Sequence, residues 1–159
     1  MPNWCNNVVY IGDDDPAMLD KIKKGVAEGE LMNTLFPRPK EEDDNWYMWN
    51  IENWGTKWDV GGLDCDVDEF EPSRLQLIFD SAWSPPIKFY EKLEQQGFTV
   101  EAYYWEPGIA FAGTYIEGNE DNYDYSDKNA SEVKEYLPSD LDEMFNISEN
   151  LAEWEEMED

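Results

Sequence analysis

RLQLIFDSAWSPPIKFYEKLEQQGFTVEAYYWE, residues 74–106, is the stretch whose reading decides the fold. Leu75, Leu77 and Phe79 recur at period two, which predicts a strand over Arg74–Ser81 with those three side chains on one face. Ser84-Pro85-Pro86 then opens a helix, because proline suits the first turn of a helix and not its interior. Ile87, Tyr90 and Leu93 share a face of that helix, and Gly97 stops it. Phe98–Trp105 is a second strand. The stretch is a strand–helix–strand unit.

Outward from it, Ile109–Ile116 reads as a further strand, joined through the hairpin-type connection Glu106-Pro107-Gly108. Upstream, Val60–Phe70 reads as a strand, since Asp64, Asp66 and Asp68 alternate with Cys65 and Val67. Trp46–Trp54 lies between helix and extended chain. The i, i+3 spacing of Trp46 and Trp49 favours the helix, and Gly55 ends it. Lys40–Asn45 reads as a polar loop, and Leu31–Phe36 as a short apolar stretch closed by Pro37 and Pro39. A first strand covers Cys5–Ile11. Asp15 is placed to cap a helix starting at Pro16, with Leu19, Ile22 and Val26 on its buried face and Gly29 as its stop. The order β-α-(short element)-β-β-α-β-β predicts an α+β chain: an antiparallel sheet with two helices on one face.

After Gly118 the composition changes. Residues 119–159 hold 15 acidic side chains against Lys128 and Lys134. Such a run suggests a disordered acidic tail, but its apolar spacing argues for structure. Val133, Tyr136 and Leu137, then Leu141, Met144 and Phe145, then Leu151, Trp154 and Met157 each form one helical face. Ser139 and Ser148 stand at expected N-caps, with Asp140, Asp142 and Glu149 in first turns. The expected organisation is an α+β domain over residues 1–118 and an acidic helical segment over 119–159, docked by those faces with its carboxylates outward.

The whole chain has 159 residues, 38 acidic and 11 basic, for a formal charge of −27. Eight Trp, nine Tyr and seven Phe supply a core that a disordered acidic chain lacks. There is no histidine, which removes the commonest general base and metal ligand and disfavours an enzyme. Cys5 and Cys65 have no paired-motif spacing and read as reduced, half-buried thiols of a cytoplasmic protein. The amino-terminal residues lack the basic region and apolar run of a signal peptide, and no run of ~20 apolar residues is present to span a bilayer. The charge repels anionic membranes and nucleic acid alike. No cofactor or metal is expected.

Four segments have a combined character: MPNWCNN at 1–7, IENWGTKWDV at 51–60, DSAWSPPIKFYEKLEQQGF at 80–98 and EPGIAFAG at 106–113. Together they resemble the YubB-like family of small ferredoxin-like proteins carried by phages and conjugative plasmids, over Met1 to about Gly118. The resemblance implies a ferredoxin-like fold and a mobile-element origin, and it implies no reaction.

Several groups invite a chemical reading. In NWGTKWD, Lys57 and Asp59 suggest a catalytic or ligand-binding pair. Without a nucleophile–base arrangement, the better reading is structural: Trp54 and Trp58 in the core, Gly55 in a tight turn, and Thr56, Lys57 and Asp59 serving local needs. Trp83, Pro85 and Pro86 are read likewise. Asp64, Asp66 and Asp68 resemble the opening of a calcium loop, but Glu69 and Leu75 occupy the positions needing Gly and Glu, so a solvated strand face is the better account. Asp13, Asp14 and Asp15 are explained by capping. Tyr103, Tyr104, Trp105, Tyr123 and Tyr125 suit base stacking, but 11 basic residues cannot supply a phosphate groove, and sheet-face packing accounts for them.

The charge itself remains. At one charge per ~1.7 Å of duplex, −27 matches about 45 Å of DNA, while a chain of this length has a diameter near ~40 Å. The expected function is therefore a non-enzymatic phage or plasmid protein that binds a basic DNA-binding protein of host or phage, as a DNA mimic in counter-defence. The expected contact residues are Asp140, Asp142, Glu143, Glu149, Glu153, Glu155 and Glu156. The alternatives are a small carboxylate- and Mg²⁺-dependent hydrolase or nucleotide-binding enzyme, and a virion or assembly component.

Overall fold

The computed structural model describes residues 3–158; Met1 and Pro2, which begin the MPNWCNN motif, and Asp159 lie outside the described residues. The strands are β1 (Trp4–Gly12), β2 (Cys65–Glu71), β3 (Arg74–Ala82), β4 (Thr99–Glu106), β5 (Phe111–Ile116) and β6 (Asn119–Asp124). The helices are α1 (Pro16–Ala27), α2 (Leu31–Leu35), α3 (Trp46–Asn53), α4 (Ile87–Gln95), α5 (Ala130–Tyr136), α6 (Ser139–Phe145) and α7 (Ile147–Glu158). The sheet runs β2-β3-β1-β4-β5-β6 with every neighbouring pair antiparallel. Its first four strands, with α1 and α4, make the ferredoxin-like α+β unit, and β5 and β6 widen it. The outermost strands, β2 and β6, both carry carboxylates.

The sheet has a core on each face, because successive strand residues point to opposite sides. On one side Val9, Ile11, Leu75, Leu77, Phe79, Val100 and Ala102 meet Leu19 and Ile22 of α1 and Phe89, Tyr90 and Leu93 of α4. Local chemistry starts α1 as expected: the Asp15 carboxylate accepts the Ala17 N–H at 3.0 Å, with Pro16 at the first position. On the other side Tyr103 and Ala112 meet Tyr125, Val133, Leu137, Leu141 and Ile147. Each such apolar side chain contributes roughly 1.5–3 kcal/mol when fully buried, so the second core holds α5–α7 firmly on β4–β6.

Several expectations need correction. The strand expected from Val60 begins at Cys65, because the Val60 carbonyl accepts the Leu31 N–H and Gly61 (φ +143°) packs against the Gly29 backbone. A side chain at Gly61 would meet Gly29 Cα at 2.8 Å. Lys40–Asn45 is a 3₁₀ helix rather than a loop. Residues 119–124 form β6, so the boundary expected at Gly118 falls inside the sheet. Ser139 and Ser148 lie within helices instead of capping them. Both cysteines are free and fully buried, not half-buried, and burial raises both thiols, Cys65 to about 12. Among the described residues no helix is long and apolar enough to cross a membrane.

Candidate functional site

The two sequence motifs at the tryptophans fasten to one another. Gly55, at φ +83°, approaches the start of α4 so closely that a Cβ there would lie 3.0 Å from Lys88 N. The Trp54 carbonyl accepts the Phe89 N–H, Ser84 Oγ donates to the Gly55 carbonyl, and buried Thr56 donates to the Ala82 carbonyl. Pro85 and Pro86 are buried beside them, and Trp54 fills the core with its indole N–H on the Phe36 carbonyl. The Asp59 carboxylate accepts the Met32, Asn33 and Val60 N–H groups at 2.7–2.9 Å, fixing the start of α2. Burial raises its pKa, against the lowering effect of those three bonds. Lys57 stands apart, its ammonium 4.5 Å from the Trp58 ring and 5.1 Å from that of Tyr47. Lys57 and Asp59 therefore serve different neighbours and are not a pair. Trp58 is corrected too: it is 39 % exposed, not a core residue.

The carboxylates expected to meet a partner divide into two groups. Asp140, Glu143, Glu149, Glu153 and Glu156 are exposed on α6 and α7. Among the described residues none of them is in an ion pair. Asp142 is instead buried, accepting the Ser148 N–H at 2.7 Å and its hydroxyl at 2.6 Å. Glu155 is half-buried and accepts the Ala130 N–H at the start of α5. Both hold helices together, because short helices leave amide donors that a nearby carboxylate satisfies. Tyr136, Trp154 and Met157, expected to dock inward, face solvent, with Trp154 60 % exposed among Glu153, Glu155 and Glu156.

The structure also assembles a groove that sequence periodicity does not single out. Trp4 of β1 and Trp58 stand with ring centroids 6.1 Å apart, and both are substantially exposed. They wall a groove of about 500 Å³ shared with Asp59, Asp64, Asp80 and Ser81. Asp64 ends the 3₁₀ turn Gly62–Asp64 just before β2, and Asp80 belongs to β3 beside it. Burial and then the Asp64 charge raise the pKa of Asp80. Trp83 follows at φ +70°, an uncommon conformation for a bulky residue, with its N–H on the Asn3 carbonyl at 2.8 Å. The sequence signal for this groove is two tryptophans that neither a strand nor a helix face requires.

No protein-family model matches the chain, and no curated protein matches it. Among solved structures it is similar to protein api92 from Yersinia pseudotuberculosis, of family DUF1281, at 24 % identity with a TM-score of 0.38. That similarity covers 50 % of this chain and 29 % of the other, so the chain spans less than a third of that protein's length.

Proposed function

We propose that this chain is a non-enzymatic, acidic interaction protein that binds a basic protein through the face formed by α6 and α7. One observation carries the reading: Asp140, Glu143, Glu149, Glu153 and Glu156 face solvent from helices seated on a packed aromatic core. Fixed charges of one sign raise the local potential and steer a basic partner toward them. Trp154, exposed among carboxylates, is the kind of side chain that anchors such a contact. The finer part of the proposal follows from the resemblance to YubB-like proteins: a phage or plasmid setting, a DNA-binding protein as partner, and competition with that protein's DNA.

The test uses affinity capture from host lysate with elution by salt, then a duplex-DNA competition assay on the captured protein. The wild-type chain is expected to retain a basic protein and to displace its DNA. A Glu143→Lys, Glu149→Lys, Glu153→Lys, Glu156→Lys variant with unchanged melting should lose both effects. Equal capture by the two chains would refute the reading.

A further inference from the structure

We infer that the Trp4–Trp58 groove is a docking site for an arginine side chain presented by a partner protein. The groove lies beside the β1–β3 end of the sheet, away from the second core that carries α5–α7, and the inference stands without the reading given to that face.

Three observations converge on a planar cation. The first is shape: two exposed indoles with centroids 6.1 Å apart border an open groove of about 500 Å³. Indole faces attract cations, and guanidinium, being flat and weakly hydrated, stacks on them better than ammonium does. Outside the groove the Lys57 ammonium already rests on the Trp58 ring, so this indole does attract a cation. The second is charge complementarity. Asp59, Asp64 and Asp80 line the groove and, among the described residues, no basic one does, while Lys57 next to it offsets one of those charges. The Asp59 oxygens are already engaged by amides, which leaves Asp64 and Asp80 to meet a ligand.

The third is an uncompensated cost. Two carboxylates of like charge sharing one groove repel each other, and among the described residues neither Asp64 nor Asp80 is in an ion pair. A guanidinium presents five donors in a fork that bridges two carboxylates, and its binding relieves the repulsion between them. An apolar peptide would leave both carboxylates facing it unpaired. Nucleic acid would be repelled.

The experiment follows indole N–H resonances of the full chain by NMR during titration with acetyl-Ala-Arg-Ala-amide, and with the lysine and citrulline counterparts. Trp4→Phe and Trp58→Phe assign the two signals, and Trp154 serves as an internal reference. The arginine peptide is expected to shift the Trp4 and Trp58 signals saturably, with at least about five-fold weaker binding of the lysine peptide and none of the neutral citrulline one. The Asp64→Asn, Asp80→Asn variant should weaken binding at least about five-fold while melting no lower than wild type. Four results overturn the inference: no saturable shift, a citrulline response equal to arginine, unchanged affinity in the double variant, or shifts confined to Trp154. The last would leave the α6–α7 face intact as a separate surface. An equal response to lysine overturns the choice of guanidinium.

Discussion

At the scale of single residues, the acidic side chains of this protein do different work according to what faces them. Asp142 joins α6 to α7 through both oxygens, whereas Glu143 beside it is exposed. Asp142→Ala leaves the Ser148 amide without its partner and should lower stability by roughly 1–3 kcal/mol; Glu143→Ala should stay within about 0.5 kcal/mol of wild type. Urea unfolding of the two variants checks the contrast. Asp80 behaves in a third way. Its pKa is raised in the folded chain above the ordinary 3.8, so folding favours its protonated form. Its ionisation therefore costs stability as pH rises from 3.8 through the raised folded value, and acidification over that window restores it. Asp80→Asn should melt higher than wild type at pH 7 and lose that part of the pH dependence. Sequence alone separates none of these three: the apolar spacing places Asp142 and Glu143 alike among the outward carboxylates, and only the α6–α7 corner, with Asn146 in the left-handed region, turns Asp142 inward.

At the scale of elements, those with a buried apolar face were legible and those held by hydrogen bonds alone were not. Leu75, Leu77 and Phe79 announce β3, and Ile87, Tyr90 and Leu93 announce α4, because each set must be buried against the other. By contrast β6, NEDNYD, has only Tyr123 turned toward a core and is a strand because the free edge of β5 pairs with it. No periodicity records that. The α5 cap does carry a sequence signature, Asn-x-x-Glu at residues 129–132: Asn129 accepts the Glu132 N–H while the Glu132 carboxylate accepts that of Asn129. Asn129→Ala should cost about 1 kcal/mol and speed amide exchange within residues 130–136, read by hydrogen exchange. In α7 the apolar spacing predicts the helix but not how far it docks, since Leu151 packs on the second core while Trp154 and Met157 face solvent. Trp154→Ala and Met157→Ala should therefore leave melting unchanged within error while weakening partner capture. The candidate groove was the least legible of all, for its two indoles come from elements 54 residues apart in sequence.

For the molecule as a whole, the excess charge opposes folding and favours contact with cations at once. Screening shortens the reach of surface charges from about 10 Å at 0.1 M salt to about 3 Å at 1 M. Raising sodium chloride over that range should raise the melting temperature and weaken partner binding, two opposite trends from one cause, measured by calorimetry and by capture. The same charge guards the borders of the sheet. β2 and β6 leave unpaired backbone along both rims, and the carboxylates of CDVDEFE and NEDNYD stand beside it. Such rims invite strand-to-strand joining of separate chains once nothing repels them. Near pH 4.1, where the chain as a whole approaches neutrality, these borders lose their repulsion, and the protein should grow into ribbons by rim-to-rim pairing. Electron microscopy and dye binding will show them, and lysine placed at Asp68 and Asp121 should keep the acidified chain monomeric.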